Sequence, residues 1–147
     1  MKKNGLVFSI FILTLVATGC TKKSTEPVPE QIWTGTLEVQ DIPLTNTLII
    51  YSDKSFTLDT TVTFFGVGMD FNDVGAGTVT GEPAEEGEIT FVLEELASDI
   101  VPLLESVGAA AIPLPLTITA TIKDETLTLP DVGLGQEIVL VQQSVEE

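Results

Sequence analysis

The chain has no histidine and no arginine. Its six basic residues are all lysine and stand against 22 Asp and Glu, for a formal charge of −16 over 147 residues. No basic patch can be assembled from that set, which excludes attraction to nucleic acid or to anionic lipid through charge. A triad with a histidine base is excluded, and so is a zinc site with imidazole ligands. There is one cysteine, Cys20, so no disulfide can form within the chain. Neither a Gly-x-Ser-x-Gly nor a Ser-x-x-Lys motif occurs, so no activated hydroxyl nucleophile is indicated. What is present is apolar: 44% of residues are hydrophobic. The length fits one domain, large enough to bury a core without disulfide staples.

The amino-terminal residues read as an address. Lys2 and Lys3 precede an apolar run from Gly5 to Val16, broken only by Ser9 and Thr14. That run is too short for a stable transmembrane helix and has the length of a signal-peptide core. It ends in Val16-Ala17-Thr18-Gly19-Cys20. Small residues before a lone cysteine resemble the lipobox of bacterial lipoproteins. That resemblance implies removal of residues 1–19, acylation of the Cys20 thiol and of the new amino terminus, and a membrane partner reached through covalent lipid. Each buried acyl methylene adds about 0.8 kcal/mol of membrane affinity, so two or three chains make a durable anchor. The bland alternative is ordinary secretory cleavage near Gly19 with Cys20 left as a free thiol. Thr21, and not Asp, follows the cysteine. In bacteria with two membranes this resembles the pattern sorted to the outer membrane, so the expected location is the cell envelope. Residues 20–30 form a polar, proline-containing tether. Removing Lys2 and Lys3 with the signal makes the mature protein more acidic still.

From Trp33 onward, polarity alternates with the period of a strand. Trp33, Gly35, Leu37 and Val39 share one face, and Thr34, Thr36, Glu38 and Gln40 the other. Leu48 to Tyr51 is a dense apolar run, followed by a turn at Ser52-Asp53-Lys54-Ser55 and renewed alternation at Phe56 and Leu58. Val62, Phe64, Phe65 and Val67 come next. The glycine-rich stretch 66–81 predicts one strand at about 74–80, and residues 81–87 a polar turn. Ile89, Phe91 and Leu93 alternate again. The clearest strand is Leu116 to Lys123, with Leu116, Ile118, Ala120 and Ile122 on one face and Thr117, Thr119, Thr121 and Lys123 on the other. Lys123-Asp124-Glu125-Thr126 predicts a turn, and Ile138 to Val141 the last strand. One segment changes period. Leu96, Ile100, Leu103, Leu104 and Val107 recur at helical spacing, with Ser98 and Asp99 before and Gly108 after, which predicts a short helix near 98–107.

The expected fold is therefore all-β: about eight short antiparallel strands in a meander barrel with one helical insertion. Hairpin-sized turns favour the barrel. The long connection at 95–115 keeps a β-sandwich as the alternative. The expected domain spans 31–143, and 144–147 form an acidic tail.

Trp33-Thr34-Gly35-Thr36-Leu37 at the start of the domain and Ser52-Asp53-Lys54-Ser55-Phe56 at a turn together resemble small lipocalin-like bacterial lipoproteins. In that group a Trp on the first strand plugs the barrel base. Binding of small apolar molecules is its best-known theme. The resemblance implies a barrel with Trp33 at its closed end.

Candidate chemistry is sparse. Glu94 and Glu95 are adjacent, which on a regular strand sends them to opposite faces, and Glu85, Glu86 and Glu88 fall in a solvated turn. Residues 70–75, Asp-Phe-Asn-Asp-Val-Gly, carry oxygen ligands near a glycine. They lack the spacing and terminal Glu of a calcium loop and read as a hairpin turn. Gly75 to Gly81 lacks the spacing, the following helix and the lysine of a nucleotide loop. No catalytic residue, metal site or cofactor is expected. The aromatics Trp33, Tyr51, Phe56, Phe64 and Phe91 are the candidates for a ligand pocket, with the helix as its lid or plug. The expected function is a membrane-anchored module that binds a small apolar or amphipathic ligand. The alternative is a structural or adaptor protein with a filled core and a protein partner.

Overall fold

The computed structural model describes residues 26–83, 85–106, 108, 109 and 111–145. The signal segment, Cys20, residues 21–25 of the tether and residues 146–147 lie outside them. The described chain forms β1 (Pro29–Val39), β2 (Ile42–Tyr51), β3 (Ser55–Phe64), β4 (Val67–Thr80), β5 (Gly87–Leu96), α1 (Ile100–Ser106), β6 (Leu116–Lys123), β7 (Thr126–Leu129) and β8 (Ile138–Gln143). Each strand pairs antiparallel with the next. Residues Ile32–Thr34 of β1 pair with Val141–Gln143 of β8, which closes the barrel in simple sequence order. That last ladder excludes the sandwich, because it leaves no second sheet to pack against.

Period two decides which residues fill the interior. On β1, Gln31, Trp33, Leu37 and Val39 are buried, and on β2, Leu44, Asn46, Leu48 and Ile50. The register sets these inward residues opposite one another: Leu37 across from Leu44, Trp33 from Leu48, Leu48 from Leu58 and Asn46 from Thr60. A slip by one residue would turn every one of them to water. The outward positions carry threonines, and Thr36 and Thr45 bring their hydroxyls to 2.9 Å across β1 and β2.

Tight turns hold this register. Gln40 and Asp41, Phe65 and Gly66, and Asp124 and Glu125 are the two-residue connections β1–β2, β3–β4 and β6–β7, and all six have positive φ. That is the turn geometry whose twist matches the flanking strands. At two other places the strands approach too closely for any side chain. A Cβ on Gly77 would lie 1.8 Å from the carbonyl oxygen of Val92, and one on Gly35 2.1 Å from that of Val139.

The two ends of the barrel differ. The start of β1, the turns 52–54 and 124–125, the loop between β4 and β5 and the end of β8 lie at one end. The turns 40–41 and 65–66, α1 and the loop 130–137 lie at the other. The first end is filled by Trp33, Ile50, Val79, Ile89, Ile122, Leu127 and Leu140, all buried. Fully burying each such side chain contributes about 1.5–3 kcal/mol. The Trp33 indole N–H, buried with them, donates to Gln31 Oε1 at 3.1 Å.

Three local expectations are corrected. The strand placed at 74–80 begins at Val67. Its first residues are exposed and pair with β3 as a projecting hairpin, so no buried face imposes alternation there. Residues 70–75 are not a hairpin turn but an irregularity inside β4. Leu58 pairs with Gly75 and Thr60 with Phe71, so Asn72, Asp73 and Val74 stand opposite Asp59 alone, and the Asp73 N–H donates to Asp59 Oδ1 at 2.7 Å. Glu94 and Glu95 are both exposed, not on opposite faces. Ala76 pairs with Glu95 and Gly77 with Leu93, which makes Glu94 the extra residue of a bulge that resets the alternation.

Candidate ligand cavity

At the end away from chain entry the barrel is hollow. A cavity of about 130 Å³ lies above the filled base. Its wall comes from the upper halves of the strands, including Leu44, Leu48, Leu58, Leu93 and Ile118. Both β-irregularities border it, through Val74 and Gly75 on β4 and Leu93 and Leu96 on β5. Bulges bend the strand that carries them, and here they carry β4 and β5 around the hollow.

The roof is local in origin. Ala97 N–H donates to the Val74 carbonyl at 2.9 Å, which fixes the connection to the β4 irregularity, and α1 starts three residues on. Pro102 is the third residue of the helix, where the missing N–H would have had no partner within the helix. The helix is shorter than the expected 98–107 and is closed off by Gly108 at φ +78°, after which Ala109 N–H returns to the Leu104 carbonyl at 2.9 Å. This aims Ile100, almost wholly buried, and Leu104 into the cavity. A second flap, the loop between β7 and β8, adds Val132 and Leu134. Asp131 Oδ1 organises it by accepting the backbone N–H of Gly133, Leu134 and Gly135, each at 2.9 Å. Those bonds, first that of Gly133 and then that of Gly135, hold the Asp131 carboxyl below the usual carboxylate range. The Gln136 side chain donates to the Glu38 carbonyl and ties the flap to β1.

The wall has a gap. β6 and β7 pair only from Thr121 to Lys123, so the upper half of β6 has no ladder on that side. A groove of about 310 Å³ lies between residues 111–119 and 130–132. Ile112, Leu116, Ile118 and Val132 line both the groove and the cavity.

Of the five aromatics expected at a pocket, the structure brings two to the cavity. Phe56 and Phe91 form part of its wall. Trp33 is buried in the filled base. Tyr51 is half-buried with its hydroxyl 3.3 Å from Thr57 Oγ1, and Phe64 packs near the rim against Leu37, Val39, Leu44 and Val62. Sequence reasoning missed Asn46 and Thr60, the polar side chains of the wall. Their signal was an interruption: each sits at an inward position between apolar neighbours of the same face. It also missed Ile112, Val132 and Leu134, which come from segments without periodicity.

No Asp, Glu, Lys or Tyr lines the cavity. Among the described residues no group of three or more acids or other ligating side chains is placed to hold a metal ion. No helix of the described residues is long and apolar enough to cross a membrane. The turn carboxylate Asp53 accepts from both the hydroxyl and the N–H of Ser55, which hold it below its ordinary range, but it lies at the closed end.

The fold and site thus define a closed, eight-stranded antiparallel barrel, plugged at one end and with an apolar hollow at the other. No protein-family model matches the chain, and neither does any curated protein or solved structure.

Proposed function

We propose that this chain is a lipid-anchored lipoprotein of the bacterial cell envelope whose barrel binds a small apolar or amphipathic ligand. In an organism with two membranes it belongs to the outer one. The observation that carries the binding reading is the cavity, about 130 Å³ and walled almost wholly by aliphatic and aromatic side chains. An apolar molecule entering it leaves water and gains about 0.8 kcal/mol for each methylene buried. The wall as described offers apolar surface and no titratable side chain, which supports the reading of a binding module. The anchor rests on Cys20 and the small residues before it.

Native mass spectrometry after mild extraction tests the binding reading. The expected result is a co-bound small molecule, or uptake of fatty-acid or dye probes. A folded protein that shows neither overturns it. For the anchor, Cys20→Ser is expected to abolish acyl labelling and release the protein from sedimenting envelopes, and a variant that stays attached overturns it.

One observation favours a second reading, an adaptor for another envelope protein. Phe65 is fully exposed at the tip of the β3–β4 hairpin, with Val67 and Met69 exposed beside it. A photocrosslinker at Phe65 in intact cells is expected, on that reading, to capture one reproducible protein.

A further inference from the structure

The cavity wall contains a polar pair with unused capacity. Asn46 and Thr60 stand directly opposite each other in the β2–β3 ladder, both on the inward face. Asn46 is 7% exposed and Thr60 6%. The Thr60 hydroxyl donates to Asn46 Oδ1 at 2.9 Å. Among the described residues no acceptor pairs with Asn46 Nδ2, and no side-chain nitrogen or oxygen is both fully enclosed and without a partner. The amide hydrogens therefore face the hollow. Exchanging the amide oxygen and nitrogen does not remove the surplus, since the second Nδ2 hydrogen and the Thr60 hydroxyl hydrogen would then be free. An apolar pair at these two positions would be simpler to bury, because a buried donor without an acceptor costs more than its replacement by a methyl group.

We propose that Asn46 is the polar recognition point of this cavity, and that it selects neutral ligands carrying one hydrogen-bond acceptor, a ketone, aldehyde or ester, on a compact apolar body. This rests on the binding reading above and narrows it. Acceptors with a spare lone pair are tolerated in protein interiors better than donors without a partner, so the pair asks for an acceptor first. An anion is disfavoured. No lysine lines the cavity, and the described lysines, Lys54 and Lys123, lie beside turns at the closed end. A carboxylate would enter a low-dielectric hollow with one neutral amide to meet it, inside a protein that already carries a large negative charge. The size sets the body of the ligand: a dry apolar cavity of about 150 Å³ admits a benzene-sized guest.

The test uses three probes of similar shape: ethylbenzene, acetophenone and benzoate. Each is titrated into the purified full-length protein in detergent, with micelles alone as the blank, and binding is followed by calorimetry and saturation-transfer NMR. Acetophenone is expected to bind about 2- to 10-fold more tightly than ethylbenzene, the span of one neutral hydrogen bond, and benzoate not to bind. In the double variant Asn46→Leu, Thr60→Val, which leaves no buried polar group unpaired, the preference for acetophenone should vanish while ethylbenzene still binds. Equal binding of ethylbenzene and acetophenone, or tightest binding of benzoate, overturns the role of Asn46 and leaves the binding reading intact. The ranking in the unsubstituted protein decides this even if the variant does not fold. Failure of all three probes to bind the folded protein overturns both.

Discussion

The rings of Phe56 and Phe91 meet edge to face, with centroids 5.3 Å apart and planes at 88°. Both belong to the buried cluster of the base and both also line the cavity. They form the boundary between the filled and the hollow parts of the barrel. The contact depends on Gly77, which pairs with Phe56 across the β3–β4 ladder and whose missing side chain leaves room for the ring.

Phe91→Ala should therefore cost about 3–5 kcal/mol, the range for removing a buried aromatic ring. A double-mutant cycle with Phe56→Leu should return about 0.5–1.5 kcal/mol of coupling, the value of an edge-to-face pair beyond its buried area. Urea unfolding of the single and double variants measures both. Additive losses would show that the rings do not act together.

Gly77→Ala should be worse than its size suggests. The added carbon meets the Val92 carbonyl, a backbone atom inside the β4–β5 ladder that cannot step aside without opening the sheet. A loss at or above the 1–3 kcal/mol usual for overpacking is expected. Gly66→Ala meets nothing within 4 Å but sits at φ +79°, so it should lose only about 1 kcal/mol. Thermal unfolding of the two variants side by side should reproduce that order.

Trp33 is the only tryptophan and is 1% exposed, so intrinsic fluorescence reports on the base alone. Its emission should be blue-shifted and resistant to acrylamide. Gln31→Leu removes the acceptor of the indole N–H and should cost about 1–3 kcal/mol. The variant's fluorescence should stay blue-shifted until the barrel unfolds.

The flap over the cavity should loosen in acid. The Asp131 carboxyl is depressed in the folded protein by its backbone donors. Its contribution is therefore present above the unfolded-state value and is lost as pH falls through the lower folded value. Amide resonances of Gly133, Leu134 and Gly135 should shift together below the usual carboxylate range. Asp131→Ala should place them near their acid positions at neutral pH, while Asp131→Asn, which keeps an acceptor oxygen, should not.

Much of the fold could be read from residue order because one face of each strand is buried. β1 and β6 show this best, with apolar residues inward and threonines outward. α1 was legible from the spacing of Ile100, Leu103 and Leu104. Where neither face is buried, as at Val67–Asp70, alternation carries no signal and the sequence marks only the second half of the strand. Where a bulge adds a residue, as at Glu94, counting by two goes out of phase. Closure was an expectation of the turns alone, since the β1–β8 ladder has only three residue pairs. The hollow itself was not legible. An aliphatic residue lining a cavity looks the same in sequence as one filling a core, and the five aromatics consequently fell in four different settings: wall, base, outer face and rim.

The position of chain entry has a consequence for how the barrel presents itself. Val28 is clasped to Ser52 by two hydrogen bonds, at the plugged end. The described chain thus begins its first strand at the filled end, and the rim of the hollow and the unpaired flank of β6 lie away from that point. A molecule reaching the hollow would have to cross the rim or that flank, because the base is packed shut.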